Sequence, residues 1–545
     1  MELDWPKKTI QTLASECGIK EELLYPYGKF FGKVDLASLE LPAKANKQIL
    51  VTSTTPGKSG IGKTTTSIGL SMALNRLSLS TVATLRQSSL GPTYGRKGGG
   101  AGGGAARLQP LDDILMHFTG DFHAITQAHN QLRALIDQSL HFDNPLRLDL
   151  HRLLFPRAID INDRMLRMTL TGYQTSNGRG QDSVAIPCPF LITPASEIMA
   201  ILALLQGRNQ AEVIDDLYQR LDKITLGYDQ DGELIPASSL GVTGAIAALL
   251  RHAISPNLTQ TCEGTPALLH AGPFANIAHG CSSILADQVA ARFFDCTITE
   301  AGFGADLGFE KFWHIKCRVA KTSPALAVLT TTLGALREQS VRGGADNLEH
   351  HLGVLRSCQV PTIVAVNVFP GDSAADLANV CRQAESLGAL KACPIQPYTK
   401  GSEGCMELAQ WISTHWHQLS AVPWKPVYVA NASLKDKVST VARVFYGQEK
   451  ISFSESAVEQ MKELPALAQD LPICIAKTPL SLSHDPKIYK LDANEPLPIS
   501  SVQPAFGAGF IIVNAGQTPL MPALGREPQA KHIKLQRNGA IKELF

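Results

Sequence analysis

Glycines at 57, 60 and 62, followed by Lys63 and Thr64, give the run Gly57-Lys58-Ser59-Gly60-Ile61-Gly62-Lys63-Thr64-Thr65 between an apolar stretch at 49–51 and a segment of small and apolar residues at 65–77. Residues of these types at this spacing bind phosphate. The glycines let successive backbone N–H groups converge on an anion, Lys63 adds a point charge, and the Thr64 hydroxyl can reach a magnesium ion. A helix starting at the lysine would aim its positive end at the same charge. The loop predicts a nucleoside triphosphate substrate, contacted by residues 57 to 65, with Thr64 as the metal ligand. It leaves the reaction open.

Four further segments carry groups that could act on such a substrate. Residues 91–104 contain eight glycines in fourteen positions, with Arg86 before them and Arg96 and Lys97 among them. Ordering so flexible a backbone is unfavourable, so the segment reads as N–H groups brought close to an anion, with a disordered linker as the alternative. The run His117-Phe118-Thr119-Gly120-Asp121-Phe122-His123-Ala124-Ile125 sets two imidazoles and a carboxylate at the start of a helical pattern that includes His129 and Asn130. Those groups suit a polar pocket wall, a metal site or a satisfied structural network, and spacing alone does not choose. At 299–311, Gly302, Gly304 and Gly308 permit tight turns while Glu300, Asp306 and Glu310 supply oxygens. Asn367-Val368-Phe369-Pro370-Gly371-Asp372 follows an apolar run at 362–366, where open parallel sheets place ligand loops. Phe369 and Pro370 offer a flat apolar face there, although a phenylalanine after a strand also suits a core.

Composition limits the partners. Fifty basic against 49 acidic side chains leave a formal charge of +1, which gives no field suited to a nucleic acid or an acidic membrane surface. Glu2, Asp4, Glu16, Glu21 and Glu22 occupy the first thirty residues and no run is long enough for a membrane span, so a cytoplasmic location is expected. Eleven cysteines stand singly without a CxxC pair, as reduced, buried thiols do.

The elements that must position these groups alternate. Helical spacing at 65–77 and 121–140 and strand-like runs at 81–85, 326–329 and 362–366 indicate α/β layers. The expected architecture is a doubly wound, mostly parallel sheet forming a P-loop nucleotide-binding domain, with two additional smaller α/β or α+β domains. A chain of 545 residues exceeds one growing core. The domains are expected at 1–370, with a helical excursion near 205–240, at 371–450, and at 451–545, the last with short strands at 472–476 and 509–514. Interior helices are expected at 187–205 and 242–253.

The run Leu85-Arg86-Gln87-Ser88-Ser89-Leu90-Gly91-Pro92, the glycine segment and the 117–125 run together resemble the formate–tetrahydrofolate ligase family. Further matches are Thr299-Glu300-Ala301-Gly302-Phe303-Gly304-Ala305-Asp306-Leu307-Gly308, Glu310-Lys311-Phe312, Asn367 with Phe369-Pro370, Lys400-Gly401, Glu403-Gly404, and Ala476-Lys477-Thr478 with Asp485-Pro486. They span the chain in the family's order. The resemblance implies that ATP phosphorylates formate and that N10 of tetrahydrofolate attacks the resulting formyl phosphate, giving 10-formyltetrahydrofolate, ADP and phosphate. It implies Lys63 and Thr64 for ATP and Mg2+, and Arg86 for the transferred phosphoryl group. Asp121 with His117 or His123 would manage the proton lost from the folate. Phe369, Pro370 and Tyr398 would stack on flat rings. A monovalent cation, K+ or NH4+, is implied near 299–311, and a homotetramer as the assembly.

Several positions depart from the family's pattern. Gln87 stands where an acidic residue is usual, Tyr398 where tryptophan is usual, and Lys58 and Ile61 replace proline and glutamate in the phosphate loop. The loop also resembles the variant Walker loop of dimerisation-controlled ATPases, which would imply such an ATPase or a ligase of another carboxylate. A nucleotide-binding scaffold without turnover is the non-enzymatic alternative.

Overall fold

Short runs of Val, Ile, Leu and Thr are buried from end to end in the strands Thr81–Leu85, Cys296–Glu300, Leu326–Thr331 and Thr362–Asn367, and in all but the first residue of Lys47–Ser53. Burial of both faces is what a parallel sheet with helices on each side requires. The computed structural model describes residues 8–43, 46–57, 60–95, 100–172, 186–274, 277, 279–339, 345–488, 495–516 and 519–544. Among them the strands form one large, mostly parallel sheet and several small ones, an α/β architecture. The main sheet runs in the order Leu24–Pro26, Gly32–Val34, Asn257–Thr261, Pro266–Leu269, Thr81–Leu85, Cys296–Glu300, Lys47–Ser53, Leu326–Thr331, Thr362–Asn367, Ala392–Ile395. From Pro266–Leu269 onward every pairing is parallel.

The period of two along these strands assigns each face its helices. Ile49, Val51, Val328, Ile363 and Ala365 pack with Leu70 and Leu74 of the helix Lys63–Arg76 and with Leu408 and Ile412 of Met406–His415. The alternate residues Leu50, Ala327, Leu329, Val364 and Val366 join Leu348, Leu352 and Leu355 of the helix Ala345–Ser357 and Val438, Val441 and Phe445 of Leu434–Tyr446. A four-stranded sheet, ordered Ile451–Phe453, Leu497–Ala505, Phe510–Ala515, Ile473–Ala476, contributes Ile475 and Val513 to the same buried cluster.

Some local expectations meet a different structure. The stretch at 187–205 is not one helix: Phe190–Ile192 pairs as a strand with Arg157–Ile159, and only Glu197–Leu204 is helical. Pro194 lies in the turn Thr193–Ala195, and the Ser196 side chain caps the helix by accepting from Met199 N. Within the helical excursion near 205–240, the helix Gln210–Asp222 is amphipathic and buries Val213, Leu217 and Leu221. All eleven cysteines are free thiols. No helix among the described residues is long and apolar enough to cross a membrane.

The glycine-rich turn at 299–311 holds the least ordinary backbone. Ala305–Phe309 and Phe312–Cys317 are π-helical turns, a geometry that recurs at functional sites. A Cβ on Gly308 would lie 1.8 Å from Gly302 O, so two backbone segments touch where no side chain fits. Gly308→Ala is expected to lower stability by about 3 kcal/mol. Gly353→Ala, on an open helix face with nothing within 4 Å of the new methyl, should instead raise it by up to about 1 kcal/mol. Urea unfolding of both variants checks the opposite signs.

Candidate functional site

The parallel strands end together at one edge of the sheet, bringing Ser53, Glu300 and Asn367, with Arg86 one residue beyond Leu85, to the place where the phosphate loop begins. Lys58 and Ser59, like Arg96 and Lys97, lie outside the described residues. Gly60 and Gly62 have φ of 73° and 80°, left-handed conformations that favour glycine, and Gly62 caps the helix Lys63–Arg76. Asn367 Nδ2 donates to Ile61 O at 2.7 Å and to Thr66 Oγ1 at 3.2 Å, fixing the loop to the neighbouring strand end. The Ile61 side chain is buried.

Lys63, Thr64, Arg86 and Glu300 converge. Lys63 Nζ donates to Ser53 Oγ at 3.1 Å, and that hydroxyl donates to Phe303 O at 2.8 Å. Burial brings the Lys63 ammonium down to about 8; Glu300 opposes the shift and Arg86 reinforces it. Burial raises the Glu300 carboxyl, while Arg86, the Thr64 hydroxyl, Lys63 and the Ser67 hydroxyl pull it back. Its Oε1 is buried without a hydrogen bond among the described residues. A hydroxyl beside a carboxylate with an unsatisfied buried oxygen is a hard-oxygen donor set that fits Mg2+. Arg86 donates to Pro273 O at 3.1 Å, and a Cβ on Gly302 would sit 2.8 Å from Arg86 Nη2. The guanidinium therefore lies against the glycine turn.

Asp121 has a separate setting. It begins the helix Asp121–His141 and is buried in an ion pair with Lys33, Nζ to Oδ1 at 2.8 Å. Asn257 Nδ2 donates to Asp121 Oδ2 at 2.8 Å, and Asn257 Oδ1 accepts from Lys33 Nζ and from Thr119 Oγ1. The link back to Arg86 is its neighbour Gln87, whose Oε1 lies 3.5 Å from Asn257 Nδ2. His117 and His123 are both exposed, whereas Asp121 is buried between them in sequence. Asp160, whose carboxyl burial pushes up, accepts from Ser89 Oγ and Leu90 N.

Around the phosphate loop several rings stand open to solvent: Phe369 is 41 % exposed, Phe303 39 % and Tyr398 62 %. Pro370, beside Phe369, is exposed as well. Phe369 N donates to Asp372 Oδ2 in a turn directly after the strand that carries Asn367. Tyr398 lies in the turn Pro397–Lys400, where its carbonyl accepts from Ala105 N at 2.7 Å and so meets the end of the second glycine segment. The 299–311 carboxylates are unequal. Asp306 pairs with His351 and Lys477, and Glu310 with Lys311 and His314, whereas Glu300 has no such ion pair among the described residues. Asp306 and Glu310 are thus each engaged by neighbouring Lys and His side chains.

Lys33 and Asn257 were not legible as site features, and Glu300 was legible only as one of three oxygen donors in the 299–311 turn, with nothing in the spacing to set it beside Thr64. Lys33 carried no signal, because its partner lies 88 positions away. Removing one member of a buried pair strands the other charge, so Lys33→Met is expected to destabilise by about 3–5 kcal/mol. The double variant Lys33→Met, Asp121→Leu should recover much of that loss. Denaturant unfolding that gave equal losses for the single and double variants would show that pairing is not what holds these charges inside.

A family model described as formate–tetrahydrofolate ligase matches residues 4–545. A formate–tetrahydrofolate ligase of Herpetosiphon aurantiacus is 40% identical over 563 aligned positions, covering 99% of this chain and 98% of the relative. That of Chloroflexus aggregans is 41% identical over 98% of this chain and 97% of its own length. That of Thermotoga petrophila is also 41% identical, over 98% of this chain and 99% of its own. With likeness along the whole chain in both directions, this protein belongs to the formate–tetrahydrofolate ligase family and is a ligase of one-carbon metabolism.

Proposed function

We propose that the protein ligates formate to tetrahydrofolate at the expense of ATP, through formyl phosphate, releasing ADP and phosphate. The observation that carries this reading is the convergence of Lys63, Thr64, Arg86 and Glu300 at the carboxyl ends of the parallel strands, beside the open rings of Phe303 and Phe369. Formate is a poor acylating agent until one oxygen becomes a phosphate leaving group. In the first step a formate oxygen attacks the γ-phosphorus as the bond to ADP breaks. In the second, N10 of the folate attacks the formyl carbon, the carbon–oxygen bond to phosphate breaks, and N10 loses its proton.

The chain's own groups fit these steps. The backbone of Gly57 and 60–65 and the Lys63 ammonium hold the phosphates, and the Arg86 guanidinium offers a fork to the transferred phosphoryl group. Thr64 and Glu300 would hold Mg2+, which neutralises phosphate charge when bound. Phe369 and Pro370, with Phe303 nearby in sequence to Arg86's contact at Gly302, supply an apolar face for the pterin, and Tyr398 offers a further ring. Asp121 would take the N10 proton only if Lys33 and Asn257 yield part of their hold on it; His117 and His123 are open to solvent and can pass a proton outward. No step is assigned to a monovalent cation, since Asp306 and Glu310 already have cationic partners.

Purified protein with MgATP is expected to release ADP and form 10-formyltetrahydrofolate in equal amounts only when formate and tetrahydrofolate are both present. ATP turnover indifferent to both would favour a dimerisation-controlled ATPase, and ATP binding without turnover a scaffold.

Lys63 gives a pH signature. Its amine must be charged to pair with phosphate, and burial holds it near 8. MgATP affinity should stay level below about pH 7.5 and weaken above 8, by up to about tenfold per unit as the free protein loses the proton. For stability the sign is reversed: the unfolded chain binds this proton up to its ordinary value of 10.5, so the contribution of Lys63 to stability rises between pH 8 and that value. An ATP affinity that is flat from pH 7 to 9.5 would contradict this role.

A further inference from the structure

A segment more than 400 residues away in sequence is tied into the entry of the phosphate loop. Lys477 follows the buried strand Ile473–Ala476, and its ammonium is itself buried. Nζ lies 2.7 Å from Ser481 O, 2.9 Å from Ser483 O, 3.1 Å from Leu482 O and 3.3 Å from Thr478 O. It also faces Asp306 Oδ2 at 3.6 Å, an ion pair rather than a hydrogen bond. One ammonium thus closes the 478–483 loop around itself and still balances the Asp306 charge.

Asp306 passes the connection on. Its Oδ1 lies 3.3 Å from His351 Nε2, the nitrogen that also lies 3.5 Å from Thr55 Oγ1. On the same helix, Asn347 accepts from Thr55 N at 3.1 Å and donates to Thr55 O at 3.2 Å. A second bridge takes a separate route from the same loop: Gln339 Nε2 donates to Pro56 O at 3.0 Å and to Leu480 O at 2.8 Å. Both bridges end at Thr55 and Pro56, immediately before Gly57. The entering backbone is therefore held in place from the 477–483 segment on two sides.

We propose that Lys477, with the carbonyl loop it closes, is a positioning residue of the nucleotide site, setting the approach of the phosphate loop through Asp306, His351 and Asn347 and, in parallel, through Gln339. The inference rests on the nucleotide reading given above. A loop already ordered loses less freedom when it closes on phosphate, so the effect should appear in nucleotide affinity.

The test uses the full-length protein and the variants Lys477→Met and Gln339→Met, with MgATP titrated in the absence of formate and folate. Each is expected to weaken ATP binding about tenfold, within the range that positioning substitutions reach, and to leave the KM for tetrahydrofolate within about twofold. The two effects should combine to less than their product, because both act on one loop. Should Lys477→Met fail to fold, Gln339→Met keeps the question open to measurement, since it removes a neutral bridge only. Folded variants with unaltered ATP affinity, or with ATP and folate constants weakened alike, would overturn the proposal. Because ATP binding is read alone, a wild-type protein that bound ATP and made no formylated folate would count against the ligase reading and not against this one.

Discussion

Charge buried at the end of a parallel sheet is the constraint around which the site is organised. Lys63 and Arg86 lie in reach of each other and of Glu300, and the lysine gives up part of its basicity to desolvation. His279, buried within reach of the Arg86 charge, is held down to about 3, first by burial and then by Lys316 and Arg86. A pocket with more positive than negative charge, removed from water, is poised for an anion, which would supply the compensation that the protein itself withholds.

That arrangement depends on backbone contacts as much as on charges. The glycine turn can lie against the Arg86 guanidinium and against itself because Gly302 and Gly308 have no side chains, and the π-helical turns that follow carry Asp306 inward to His351 and Lys477. Asn367 ties the phosphate loop to the strand that leads to Phe369. The glycine loop and the exposed Phe369 turn are thereby connected through one side chain. Gln87 has a comparable place: next to Arg86 in sequence, it reaches the Asn257 amide that holds Asp121. The neutral side chain leaves the Lys33–Asp121 pair without an additional carboxylate beside it.

Buried ion pairs recur between segments remote in the chain. Lys33 with Asp121, Lys316 with Asp287, and Lys477 with Asp306 each join different elements inside the molecule. Such pairs add little net stability over apolar packing, but each penalises arrangements in which its partner is missing. In this protein they join strands and helices across the interior, Lys33 of Gly32–Val34 to the first residue of Asp121–His141 and Lys316 of Phe312–Cys317 to Asp287 of Ile284–Phe293.

The sequence by itself determined the local features. Gly57 to Thr65 encodes a turn and a helix start through glycine torsions, a lysine and a hydroxyl, and these act over a few residues. The alternation of buried strands and helical spacing likewise made the α/β class legible, with Thr81–Leu85, Asp121–His141 and Thr362–Asn367 within a residue or two of the expected bounds. Pro187 onward misled because an apolar run suits a buried strand as well as a buried helix, and the pairing with Arg157–Ile159 decides between them. Only the tertiary structure decided that Glu300 stands by Thr64, that Asp121 is engaged by Lys33, and that Lys477 reaches Asp306. Those contacts join residues 88 to more than 200 positions apart, and strand order and loop packing set such distances where residue type and spacing along the chain do not.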